Sequence, residues 1–84
     1  MNERTVKPFT IWRHFKGLRA FVIAVATHSE TNEELVIYYC IDDSKNSNHK
    51  NAIYARPLTM FLSEVDHTKY PNSTQKYRFE EIKN

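Results

Sequence analysis

Apolar and polar residues alternate along most of this chain, and the clearest alternation lies in residues 18–41, where two apolar runs flank a polar hinge. A period of two makes each run a strand and the pair a β-hairpin. Phe21, Ile23 and Val25 before the hinge share a phase with Leu35, Ile37, Tyr39 and Ile41 after it, which predicts one core-facing side. The strands are expected over residues 19–27 and 34–41. Within the hinge, Asn32 is the residue best suited to a left-handed backbone, and the length of the connection leaves room for a bulge.

Residues 9–15 alternate as well, with Phe9, Ile11, Arg13 and Phe15 on one face and Thr10, Trp12 and His14 on the other, which predicts a first strand. Lys16 and Gly17 form the tightest turn, because Gly17 reaches positive φ without steric cost. Residues 1–8 are expected as a flexible lead-in, and residues 42–51 as a polar loop in which His49 is solvated. A fourth strand over 52–56 ends at Pro57, which sets the φ for one helical turn over 57–62. Leu58, Phe61 and Leu62 in that turn should cap the open end of a barrel, with Met60 filling a gap. Residues 63–67 read as a short edge segment with Val65 inward, and 77–82 as the last strand. Five or six short strands with one helical turn predict a mainly β fold: a small SH3-like β-barrel over residues 9–82, in a single domain covering 1–84.

With 84 residues there is room for one modest core, and with 13% aromatic residues and a single glycine the rings must supply most of it. Twelve Lys and Arg against ten Asp and Glu give a net charge of +2, far from the balance of a duplex-DNA binder. Cys40 is the only cysteine and falls in an apolar strand, so it reads as a buried small hydrophobe in a reducing, cytoplasmic setting. No apolar run has the form of a signal peptide or approaches the ~18 residues of a membrane span, so no membrane partner is expected. The histidines at 14, 28, 49 and 67 are scattered without a cysteine partner, which argues against a metal site. Nothing in the chain calls for a cofactor.

Candidate chemistry gathers at the hinge, where His28, Ser29, Glu30 and Thr31 stand together at a strand end. One reading makes them turn-stabilising groups that bond the backbone. The other joins them to Arg56 in a polar pocket, with the Arg56 fork taking phosphate or carboxylate and Glu30 accepting from a hydroxyl or amine. Adjacent residues on an extended chain point in alternating directions, so this run does not make a nucleophile, base and orienter, and no catalysis is expected. Trp12 and His14, interleaved with basic residues, could form a stacking platform, and Arg78 could extend a basic face. The plainer reading there is that Phe15 is core and Trp12 a surface aromatic.

His14-Phe15-Lys16-Gly17, His28-Ser29-Glu30-Thr31 with Glu34-Leu35-Val36-Ile37-Tyr38, Arg56-Pro57-Leu58 with Met60-Phe61, and Tyr77-Arg78-Phe79 resemble the blocks of the family called domain of unknown function 1653. The resemblance runs from Trp12 to Ile82. It implies a compact bacterial or phage domain about one barrel in size, and brings no established activity. The chain departs from the family's pattern in Tyr54-Ala55 before the Arg-Pro pair and in its long 42–51 loop. Three functions are consistent with the residues. The first is non-catalytic binding of a small anionic or nucleotide-like ligand, as in a phage-type protein that sequesters a nucleotide-derived signal to counter a host defence. The second is a barrel binding RNA or single-stranded DNA, and the third a protein-interaction module. A barrel this small has little depth for a ligand, so a homo-oligomer with the pocket near its interface is expected.

Overall fold

The computed structural model describes residues 4–42 and 53–83. Each apolar stretch folds back on the one before it as β1 (Ile11–His14), β2 (Arg19–Thr27), β3 (Glu34–Cys40) and β4 (Ile53–Pro57). One helical turn, α1 (Leu58–Phe61), and β5 (Phe79–Glu81) complete the chain order. The strands form one antiparallel sheet in the order β4-β3-β2-β1-β5. β4 and β5 are its edges, so the fold is mainly β as expected but the sheet is not closed into a barrel by strand pairing. The bulk of the 42–51 loop, including His49, and the start of the expected fourth strand at Ala52 lie outside the described residues.

The hairpin ends where the polar hinge predicted, and the two turn residues behave as their chemistry requires: Gly17 has φ +97° and Asn32 φ +63°. The expected inward face, however, is the wrong one except at Val25, which pairs with the buried Val36 beyond an irregularity in β2. Trp12, Ala20, Val22, Val36, Tyr38, Phe61 and Phe79 form the buried core, while Phe9, Ile11, Ile23 and Tyr39 are exposed. Two facts explain the reversal. Both faces of these strands are apolar, so alternation alone does not say which is covered. In addition, β2 changes phase at Ile23, where a bulge opposes two residues to Ile37: Val22 pairs with Tyr38, and Ala24 with Ile37. The bulge therefore lies in the middle of β2 rather than at the hinge.

The core is aromatic. Phe61 lies flat on Phe79 with ring centroids 4.1 Å apart and planes 7° apart, and Trp12 meets Phe61 edge-on at 5.3 Å. Burying each of these side chains contributes about 1.5–3 kcal/mol. Trp12 thus belongs to the core rather than the surface, and its indole Nε1 donates to Thr10 Oγ1 at 2.9 Å. The helical turn delivers Phe61 into that core with Leu58 and Leu62 packed beside it, but Met60 is exposed rather than filling a gap. Val65 is buried as expected, while its segment adds only a single bridge, Glu64 to Tyr77, and not a strand.

Residues 4–8 are held down rather than loose. Arg4 donates from Nη1 to the Phe79 carbonyl (2.8 Å) and from Nη2 to the Leu62 carbonyl (2.7 Å), and its guanidinium sits 3.6 Å from the centre of the Tyr77 ring. Val6 packs against the core, and the Phe9 amide bonds the Val22 carbonyl at 2.7 Å.

Candidate functional site

The inner face of the sheet is not wholly filled by α1. Beyond the Phe61–Phe79 stack, β1, β3, β4 and the approach to β5 leave a small apolar cavity of about 160 Å³ lined by Tyr38, Tyr54, Phe79, Ala20, His14 and Arg56 among others. It opens beside a second cleft of about 320 Å³ whose walls carry Lys16, Arg56, Lys69 and Arg78, with Phe15, Tyr70 and His14. That volume falls in the range of small-molecule sites. Asp66 is the one carboxylate on the same walls, and its Oδ1 accepts from the Thr68 and Lys69 amides at 3.1 and 3.4 Å, which fixes it as a turn-forming group. Four cations converge against a single carboxylate.

Each cation is positioned by the fold. Arg56 shares the inner face with its β3 partner Val36, so its side chain runs along the core; Nε donates to the Tyr38 hydroxyl (3.3 Å) and the guanidinium lies 5.4 Å from the Phe79 ring centre. Arg78 is held by its backbone, which accepts from the Phe15 amide and donates to the Ser63 carbonyl, both at 2.9 Å. Its Nε is buried and has no hydrogen-bond partner among the described residues. A buried donor without an acceptor is costly. Lys16 and Lys69 flank Tyr70 at 5.3 and 5.5 Å from its ring centre, and Phe15 meets that ring edge-on at 4.9 Å.

His14 sits where the two cavities meet. Burial, followed by the positive charges of Arg56, Lys16 and Arg78, pushes its pKa down to about 4. The ring is therefore neutral at physiological pH. Its Nδ1 accepts the Lys16 amide (3.1 Å), which puts the proton on Nε2 and makes the side chain a hydrogen-bond donor.

The candidate site residues read from the sequence thus divide. His14, Arg56 and Arg78 come together. Trp12 is excluded because it is core. The hinge residues line neither cleft: His28 Nδ1 accepts the Glu30 and Thr31 amides at 3.1 and 3.3 Å, and Thr31 Oγ1 accepts the Glu33 amide at 3.2 Å, so these side chains organise their own turn. Ser29 and Glu30 are exposed there. Tyr38, Tyr54, Phe79, Lys69 and Tyr70 were not anticipated as site residues. The first three become visible once the strand phase is assigned correctly, whereas Lys69 and Tyr70 reach the cleft only through the fold of a loop. Among the described residues there is no group of three or more His, Cys, Asp or Glu side chains that could hold a metal ion, and no helix long and apolar enough to cross a membrane.

A family model described as Protein of unknown function (DUF1653) matches residues 10–81, the whole sheet and every residue of the basic cleft. The chain belongs to the DUF1653 family. The fold of this DUF1653 domain is similar to the crystal structure of a DUF1653 protein from Bordetella bronchiseptica, with a TM-score of 0.70 over 92% of this chain and 87% of that one. The two are 22% identical, so the likeness is one of fold. No curated protein matches the chain.

Proposed function

We propose that this DUF1653 domain is a non-catalytic binding module for a small anionic ligand that carries an aromatic ring, of nucleotide-like chemistry. The observation that carries the reading is that the cationic cleft and the aromatic-lined cavity adjoin and share His14 and Arg56. A phosphate would sit among Arg56, Arg78, Lys16 and Lys69, where planar forks and ammonium groups both serve phosphate oxygens. A ring joined to it would lie toward Tyr38, Tyr54 and Phe79, with His14 donating at the junction. A neutral donor in place of a general base favours capture over turnover. The strand order, with a helical turn between β4 and β5, supports an SH3-like arrangement of the sheet around this site. Such a ligand, with Cys40 kept reduced, fits a cytoplasmic protein.

The test is a thermal-shift and calorimetric screen of nucleotides, cyclic nucleotides, ADP-ribose derivatives and unphosphorylated nucleosides. A ligand at about 100 times its Kd adds roughly 2.7 kcal/mol to native stability. The expected result is stabilisation by phosphorylated compounds only, lost in Arg56→Ala and in Arg78→Ala and kept in His28→Ala. Stabilisation that survives both arginine variants, or none with any compound, would refute the proposal. One observation favours a second reading: the Phe15–Tyr70 pair flanked by Lys16 and Lys69 is the pattern on which single-stranded nucleic acid stacks. That reading requires binding of short RNA or DNA that weakens steeply as salt rises.

A further inference from the structure

The face of the sheet opposite the cleft is apolar across four strands. Ile11 pairs with Phe21, Phe21 with Tyr39, and Tyr39 with Ile53, giving one continuous row of large side chains. The next row is Ala24, Ile37 and Ala55, and the one beyond it Ala26, Leu35 and Pro57. No charged residue stands in these three rows. Phe9 leans over the first, 6.3 Å from the Phe21 ring, with a backbone φ of 67° and 77% of its surface exposed. That backbone belongs to the second corner of the Pro8–Phe9 turn, pinned by the Phe9 amide on the Val22 carbonyl at 2.7 Å and the Val22 amide on the Thr10 carbonyl at 2.8 Å, whereas the ring it presents gains little from burial there.

We infer that this outer face is the contact between two copies of the chain, related by a two-fold axis that crosses the strands at the Ala24–Ile37–Ala55 row. Three features of the face favour a second copy as the occupant. The first is shape. That axis lays the row of large residues of one copy over the Ala26–Leu35–Pro57 row of the other, so bulky side chains meet smaller ones, and the alanines of the central row admit close approach. The second is charge. In the same alternation Arg13 lies one step beyond the large row, Arg19 beside it being already paired with Asp42 at 2.9 Å, and Glu33 lies one step beyond the other end; the axis brings the Arg13 rim of each copy to the Glu33 rim of the other. The third is area. Phe9, Ile11, Ile23, Tyr39 and Ile53 are 77%, 37%, 36%, 39% and 55% exposed, which at roughly 200 Å² for a large side chain presents about 500 Å² per copy. Two copies would then bury about 1,000 Å², the size at which a specific interface begins. The cleft faces the other way, so both sites of the dimer stay open, and the contact does not depend on what the cleft binds.

The test is sedimentation velocity and light scattering of the whole protein from micromolar to millimolar concentration. The expected mass is twice the 10.0 kDa of the single chain at the upper end. Phe9→Asn is the informative variant, because Asn tolerates the left-handed backbone. It should not lower the denaturation midpoint of the dilute protein, yet should raise the dissociation constant about a hundredfold, since loss of an aromatic anchor costs about tenfold or more and a two-fold contact loses it twice. Glu33→Arg should weaken the dimer through the rims. A mass of 10.0 kDa at every concentration, or a dimer indifferent to both substitutions, would overturn the inference.

Discussion

Protonation of His14 should cost this protein stability as the pH falls. The imidazole gives up its proton near pH 4 in the folded protein, because of its burial first and then Arg56, Lys16 and Arg78, against 6.5 for the unperturbed side chain. Between those values the unfolded chain holds more protons than the folded one. The stabilising contribution is therefore complete above about 6.5 and is lost progressively as the pH approaches 4. At about 1.4 kcal/mol per pH unit, the gap sets an upper bound of about 3.5 kcal/mol. The ring is only half-buried and solvent screens it, so about 1.5 kcal/mol is the expected loss. Urea denaturation of the wild type and of His14→Gln, at a series of pH values from neutral to about 4, isolates the effect because groups common to both proteins cancel. The wild type should lose more stability than the variant by that amount. Parallel pH profiles, or an imidazole titrating near 6.5 by NMR, would show that His14 is not pressed by burial and the three cations as described.

Further outcomes follow from the core, the first turn and the N-terminal clasp. Phe61→Ala removes a fully buried ring stacked on Phe79 and should cost about 3–5 kcal/mol in urea denaturation. Gly17→Ala should cost about 1 kcal/mol or more from the φ of +97° alone, since an added Cβ would meet nothing within 4 Å; no loss would mean that the turn can relax. Arg4→Ala should cost about 1.5–3 kcal/mol for two charge-assisted bonds to carbonyls. Arg4→Lys should restore only part of it, because an ammonium cannot span both acceptors and cover Tyr77 as the planar fork does.

Element positions were legible where side-chain chemistry is local. β2 begins and ends at the expected residues, Gly17 and Asn32 take positive φ, and the helical turn follows Pro57. The choice of face was not, because Ile11, Phe21, Tyr39 and Ile53 are as apolar as the residues they alternate with, and the Ile23 bulge reverses the phase halfway along β2. Trp12 followed that error from surface to core. The site was legible in part for the same reason. Arg56, His14 and Arg78 carry chemistry recognisable from residue type, whereas their convergence depends on β1, β4 and β5 meeting around one core. The HSET run looked like a site because turn-forming side chains and ligand-binding ones are the same residue types, and only the amides bonded to His28 Nδ1 tell them apart.

The pairing of β1 with β5 also governs the order in which the molecule can assemble. β1 leaves a ribosome before the other strands of the sheet, yet its outer neighbour is β5, and the Arg4 clasp closes on the Phe79 carbonyl 75 residues later. Contacts of such long sequence range cannot form locally and tend to slow folding. Until β5 emerges, Trp12 lacks the Phe79 side of its core, and the nascent hairpin carries apolar surface on both faces. A chain halted before Phe79 would thus be a substrate for chaperones or proteases rather than a smaller version of the same fold.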